Sequence, residues 1–228
     1  LADLDRMVTK QPVNFVIDAD IKGFFDNVSH EWMLKFLAHR IQDKKLLRLI
    51  RRILRSGVEE DGRVTLTEKG TPQGGIVSPI LANLYLHYVL DLWVAKKGRR
   101  QCRGFVGIVR YADDFVIAVE HEDEAKCILG WLKERLSQFE LELSEEKTRI
   151  VRFGRKTGRG ETFNFLGFTH FNAKTLRGGY KVGRKTDADR VRRSLKALRE
   201  WWGKMKTIPM EEWWGLLRSK LAGHFRYY

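Results

Sequence analysis

Residues 105–120 read FVGIVRYADDFVIAVE, two apolar, β-branched runs on either side of Asp113-Asp114. Such runs predict strands and Asp favours turns, so the segment is expected to be a hairpin with Asp113-Asp114 at its tip. Upstream, Phe15-Val16-Ile17-Asp18-Ala19-Asp20 predicts a short buried strand that ends on acids, and residues 147–153 predict a further one. Helical signals fill the intervals. Ser29 is placed as an N-cap with Val28 and Met33 as a hydrophobic staple, and apolar spacing runs through Leu37 and again from Leu46 to Leu54, stopped by Gly57. Residues 58–66 alternate around Asp61-Gly62, a hairpin signal, and lead into a glycine-rich loop over 70–75. Ser78-Pro79 opens a helix over 80–95, and residues 124–139 predict another, with Ile128, Leu132, Leu136 and Phe139 on one side. Strand, helices, hairpin, helix, strand is the order of an α+β, ferredoxin-like sheet with helices packed on one face. After Gly178-Gly179 the pattern turns helical, with Thr186-Asp187-Ala188-Asp189 as a capping box and Leu195, Leu198 and Trp202 at helical spacing. The expected division is therefore 1–172 and 173–228.

A chain of 228 residues, 43% apolar and 32% charged, suits one folded domain with an extension. Its apolar runs are strand-length, far short of the roughly 20 residues of a membrane span, so no membrane partner is expected. The chain opens Leu-Ala-Asp-Leu-Asp, with neither a starting Met nor a signal core, and is expected to be a piece of a longer protein. Cys102 and Cys127 lack CxxC spacing and predict neither a zinc site nor a disulfide, which fits a reducing cytoplasm. The net charge of +14 is unevenly placed: residues 1–146 hold 22 Lys and Arg against 23 Asp and Glu, and residues 147–228 hold 21 against 6. A one-sided excess interleaved with Trp201, Trp202, Trp213, Trp214, Phe225, Tyr227 and Tyr228 points to a polyanion, of which nucleic acid is the commonest soluble kind.

Asp18 and Asp20 lie two apart on a strand and share a face, while Asp113 and Asp114 sit at a turn. Carboxylates gathered in an apolar sheet repel one another and raise a pKa unless a cation neutralises them. Oxygen ligands without His or Cys select a hard ion such as Mg2+, and two such ions suit phosphoryl transfer. The six histidines share no ligand spacing.

At this point the residues match a family. Asp18-Ala19-Asp20-Ile21-Lys22-Gly23-Phe24-Phe25-Asp26, Gly70-Thr71-Pro72-Gln73-Gly74-Gly75 and Arg110-Tyr111-Ala112-Asp113-Asp114 resemble, in order and spacing, three signature blocks of group II intron-encoded reverse transcriptases. Leu143-Ser144-Glu145-Glu146-Lys147-Thr148 resembles the motif that sets a lysine near pyrophosphate, Phe165-Leu166-Gly167-Phe168 the primer grip, and residues 223–228 a thumb segment. The resemblance implies a polymerase palm with part of the fingers over 1–172 and the start of a basic helical thumb over 173–228. It implies an RNA-directed DNA polymerase that extends a DNA primer on an RNA template with dNTPs, using two Mg2+ ions for which Mn2+ can substitute. Asp20 and Asp113 would ligate both metals, with Asp114 completing the acidic cluster, the Ile21 carbonyl assisting and Asp18 structural. Phe24, ahead of Phe25, would stand against the ribose 2′ position, and Gln73 would support the nascent base pair. Lys147 would serve the pyrophosphate. Gly74, Phe165, Leu166, Gly167, Arg190, Arg192 and Arg193 would hold template and primer. Intron RNA is a further implied partner through a maturase role in splicing and retrohoming. An RNA-binding maturase with the sheet as scaffold, another palm enzyme such as a nucleotidyl cyclase, and a diversity-generating, retron or CRISPR-associated reverse transcriptase are the alternatives. Family members carry a fingers region before the first acidic strand, whereas 14 residues precede Phe15 here, so weak or absent activity of this chain by itself is expected.

Overall fold

The computed structural model describes residues 1–56, 69–71, 77–205 and 208–227, together with the backbone of two strands at 58–60 and 63–65. Along the chain lie α1 (Ala2–Lys10), β1 (Phe15–Ala19), α2 (Phe24–Asn27), α3 (His30–Ala38), α4 (Lys44–Arg55), β2 (Val58–Glu60) and β3 (Arg63–Thr65). Next, α5 (Ser78–Leu86) continues through π-helical turns at His87–Asp91 and Val94–Gly98 into α6 (Arg99–Gln101). The palm closes with β4 (Val106–Tyr111), β5 (Asp114–Val119), α7 (Glu122–Ser137) and β6 (Arg149–Arg152). Then follow β7 (Phe163–Phe165), β8 (Phe168–Lys174), β9 (Tyr180–Thr186), α8 (Ala188–Met205) and α9 (Met210–Tyr227).

Four strands pair in the order β4-β5-β1-β6, every neighbour antiparallel, which is the ferredoxin-like arrangement expected from the element order. Successive side chains alternate between two cores. Ile17, Ala19, Phe115 and Ile117 belong to the core shared with Phe36 of α3, Tyr85 of α5 and Ile128 of α7. Val16, Val116, Ala118 and Val151 belong to the other, with Leu4 and Val8 of α1 and with Phe153, Phe163 and Phe165. Because both faces are covered, β5 reads as an unbroken apolar run rather than an alternation.

Several sequence expectations shift here. The turn of the β4–β5 hairpin is Ala112-Asp113, not Asp113-Asp114, since Asp114 already pairs with Tyr111 in the ladder. Ala112 takes a left-handed φ of 54°, which a non-glycine residue adopts at a cost of roughly 1–2 kcal/mol. Ser29 stands at the N-cap of α3, yet its hydroxyl bonds to the Glu140 carboxylate instead of capping. Asp187, rather than Thr186, caps α8, accepting from the backbone N–H groups of Asp189 at 2.8 Å and Arg190 at 3.0 Å. Gly178-Gly179 marks no start of helix: Gly178, with φ 80°, turns the chain between β8 and β9, which pair from Phe168↔Thr186 to Lys174↔Tyr180. A division at 172/173 would therefore cut β8, whereas the sheet β7-β8-β9 packs through Phe163 and Phe165 on the palm, and the helical region starts at Ala188. Asp61 and Gly62, expected to form a turn, and Gly57, expected to stop a helix, lie outside the described residues.

His170 of β8 is fully buried, its ring stacked on Phe163 at 5.0 Å and its Nδ1 3.1 Å from the Phe168 carbonyl. Burial pushes its pKa down to about 4. The unfolded chain, titrating near 6.5, binds the proton first, so stability is full above that pH and falls as the pH drops towards 4, by something on the order of 3 kcal/mol. Replacing His170 with Phe, which keeps an aromatic ring against Phe163, is expected to flatten this part of the stability profile. Chemical denaturation of both proteins between pH 7 and 4 checks it, and parallel profiles would refute the assignment.

Candidate active site

β1 and β5 deliver the acids. Their register pairs Asp18 with Val116 and Ala19 with Phe115, so one step further Asp20 comes opposite Asp114. Residues directly opposite in an antiparallel pair share a face. Asp18, Asp20 and Asp114 thus lie on the face away from α3, α5 and α7, at the open end of two central strands, and Asp113 occupies the adjoining turn. Burial pushes the Asp18 carboxyl up to about 6, opposed by Arg149, whose Nε lies 3.3 Å from Asp18 Oδ2, and reinforced by Asp114 and Asp20. Burial also raises Asp114, the Leu166 N–H opposing it and the charges of Asp113 and Asp20 adding to it.

The chain after α7 supplies a cation. An isolated bridge pairs Ile21 with Leu143 through Lys22 N–H to Glu142 O and Ser144 N–H to Asp20 O, both 2.8 Å, and neither bond uses the Ile21 carbonyl. From there Lys147 reaches back, its Nζ 2.9 Å from Asp20 Oδ2, and this bond raises the lysine pKa. Both partners are substantially exposed, so the pair contributes at most about 1 kcal/mol to stability. Its weight is electrostatic: an ammonium stands beside the mutually repelling carboxylates.

Among the described residues, no three His, Cys, Asp or Glu side chains already converge as a metal site. The implied set Asp20, Asp113 and Asp114 is brought to one strand end but not drawn together, because Asp20 is turned to Lys147 and Asp114 to a backbone donor. The donor chemistry nevertheless fits a hard divalent cation: oxygen ligands only, and a carboxyl held up by burial and like charge that a cation would relieve.

Two sets of positioning contacts were not apparent from the sequence. Arg110, whose side chain is 11% exposed, grips Asp91 with Nε at 2.8 Å and Nη2 at 2.6 Å, and donates from Nη1 to the Ala112 carbonyl at 2.7 Å. The first π-helical turn carries Asp91, and Arg110 in turn braces the left-handed turn that presents Asp113. A lone arginine within an apolar strand was the available signal. The second set lies at the tight turn Leu166-Gly167 between β7 and β8, with φ of 52° and 80°. A bulky residue at positive φ is an outlier that needs external support. Here the Leu166 N–H donates to Asp114 Oδ2 at 3.2 Å, and the Leu166 carbonyl accepts from the Tyr227 hydroxyl at 3.1 Å. Asp187, whose carboxylate accepts from the Asn164 amide of β7 and whose backbone N–H donates to the Gly167 carbonyl at 3.0 Å, sets the start of α8 beside this turn.

Arg190 and Arg193 consequently line one cleft with Asp114, Leu166 and Gly167, while Arg192 is turned out to Asp189 at 3.1 Å. Phe165 is buried in the core beneath the turn. Phe24 is 2% exposed within the helix-side core, whereas Phe25 is half-buried against it at 5.3 Å between ring centroids. Of the two rings expected near a ribose, Phe24 is therefore enclosed by core residues and only Phe25 keeps exposed surface. Gln73 and Gly74 lie outside the described residues. The tryptophans of α8 and α9 pack on one another, Trp202 against Trp213 at 4.9 Å, so these two rings hold α8 to α9.

Residues 2–170 match the family model described as reverse transcriptase (RNA-dependent DNA polymerase). Among curated proteins, the group II intron-encoded protein LtrA of Lactococcus lactis subsp. cremoris is 31% identical over 67% of this chain and 34% of its own length. Protein YkfC of Escherichia coli is 26% identical over 74% of this chain and 50% of its own. The chain thus spans about a third of LtrA and half of YkfC. Among solved structures, apo telomerase from Candida tropicalis superposes on 82% of this chain and 34% of its own with a TM-score of 0.55 at 16% identity, a likeness of fold. No described helix is long and apolar enough to cross a membrane.

Proposed function

Because the chain belongs to the reverse transcriptase (RNA-dependent DNA polymerase) family, we propose that its acidic centre extends a DNA primer on an RNA template, in the manner of group II intron-encoded proteins. The observation that carries this reading is the register placing Asp20 opposite Asp114, with Asp113 in the next turn, beside a cleft lined by Arg190 and Arg193. Asp20 and Asp113, with Asp114 and the Ile21 carbonyl, would hold two Mg2+ ions, for which Mn2+ can substitute. Bound there, the metals would lower the pKa of the primer 3′ hydroxyl and neutralise charge on the leaving pyrophosphate.

The protein's own groups do the rest. The oxygen of the 3′ hydroxyl would form the new bond to the α-phosphorus as the bond to the β-phosphate oxygen breaks, its proton passing to bulk water. Lys147, an exposed ammonium held at Asp20, would pass a proton to the pyrophosphate. Phe25 closes the space beside the sugar, and Gln73 and Gly74 support the base pair. Arg190 and Arg193 take backbone phosphates, and the Leu166-Gly167 turn carries the primer end. A maturase role in splicing and retrohoming, with intron RNA as partner, is supported by the intron-encoded relative.

Primer extension with dNTPs and Mg2+ on matched RNA and DNA templates is expected to yield DNA on RNA, to stop with EDTA and to resume with added Mg2+. Extension on DNA alone would overturn the template assignment. The double variant Arg190→Gln, Arg193→Gln is expected to weaken binding to every template–primer sequence alike. Its log affinity against log salt should flatten by roughly 0.7–0.9 for each phosphate lost. An unchanged slope would place the nucleic-acid track elsewhere.

A further inference from the structure

Helix α4, KKLLRLIRRILR, carries six Lys and Arg and no acid in its 12 residues. At 100° per residue Lys44, Lys45, Arg48, Arg51, Arg52 and Arg55 fall within about a third of the circumference. All six are exposed, and among the described residues none is ion-paired to an acid. Opposite them Leu47, Ile50 and Leu54 pack into the core on the helix side of the sheet, so α4 lies across the sheet from Asp20 and Asp114.

This face works against the helix that bears it. Lys44 and Lys45 occupy the first turn, where the macrodipole disfavours cations, and Lys44 with Arg48, Arg48 with Arg52, and Arg51 with Arg55 are like charges four apart. A surface serving solubility alone would interleave acids. The helix is held instead by its buried stripe and by the Asp43 carboxylate, which accepts from the Lys45 N–H at 2.7 Å. Twelve residues span about 18 Å, enough for several successive phosphates. The charge count of residues 1–146 conceals the feature, since acids elsewhere cancel it.

We propose that α4 is a second RNA-binding surface, separate from the template–primer cleft, that holds a folded RNA by its phosphate backbone. A membrane surface, the other partner of basic amphipathic helices, needs an apolar face free to insert. Here that face is committed to the core, and only Leu46 and Leu49, 41% and 53% exposed, flank the cations.

The test compares the wild-type protein with the quadruple Gln variant (Arg48→Gln, Arg51→Gln, Arg52→Gln, Arg55→Gln) and the corresponding quadruple Lys variant. Probes are a long folded RNA, a short RNA–DNA template–primer and anionic phospholipid vesicles. The Gln variant is expected to lose affinity for the folded RNA and about 3 from its log–log salt slope, at 0.7–0.9 per phosphate contact. Its binding and extension of the short template–primer should stay at wild-type level. The Lys variant, which keeps the charge, should retain the slope and guards against a fold defect. Wild-type folded-RNA affinity in the Gln variant would overturn the proposal. So would an equal loss on the short template–primer, which would place α4 on the polymerase track, or vesicle binding by the wild type that the Gln variant loses. Binding is read at equilibrium without synthesis, so a failure of the polymerase reading would be distinguishable.

Discussion

Asp113→Asn is expected to lower DNA synthesis by roughly three orders of magnitude while leaving the fold and nucleic-acid affinity near wild type. Metal stabilisation of charge in a phosphoryl transfer is worth several kcal/mol, and each 1.36 kcal/mol is tenfold in rate. Asn keeps the volume and turn propensity of Asp, and the turn is braced from outside by Arg110 on the Ala112 carbonyl. The variant also removes a charge that raises Asp114. Without metal, its melting temperature should therefore equal or exceed that of the wild type. Single-turnover primer extension with thermal melting checks both halves. Near-normal extension would sink the assignment of Asp113 as a metal ligand, and a marked fall in melting temperature would assign it a structural part.

Phe25→Ala is expected to raise ribonucleotide incorporation relative to deoxyribonucleotide by roughly ten- to a hundredfold, the range a pocket commands over a small group. The backbone at this position is fixed independently of the ring, because the Phe25 carbonyl accepts from the Thr71 N–H at 2.7 Å. Truncation therefore opens space without moving Asp20. Phe24→Ala should behave differently. Its ring is enclosed in the core, so that variant is expected to lose about 3–5 kcal/mol of stability with little change in sugar selectivity. Competition between rNTPs and dNTPs, set beside denaturant unfolding of both variants, separates the two rings. Selectivity that changes only in Phe24→Ala would restore the other assignment.

The sequence by itself determined the architecture of the palm and singled out the acids that β1 and β5 bring to one strand end. Buried strands and amphipathic helices announce themselves by local periodicity, and chain order then leaves few sheet arrangements. Local pattern failed where the outcome depended on a remote partner. Gly178-Gly179 reads as a break between units until β8 and β9 pair across it, and Asp113-Asp114 reads as the turn until the ladder places Asp114 opposite Tyr111. Adjacent phenylalanines are indistinguishable in a string, and only the packing of α2 on the core encloses Phe24 and leaves Phe25 partly open. Long-range side-chain contacts were equally beyond reach. Lys147 meets Asp20 across 127 residues and the Leu166 N–H meets Asp114 across 52, because strand register fixes which residues approach, and register is set by the whole sheet rather than by either segment.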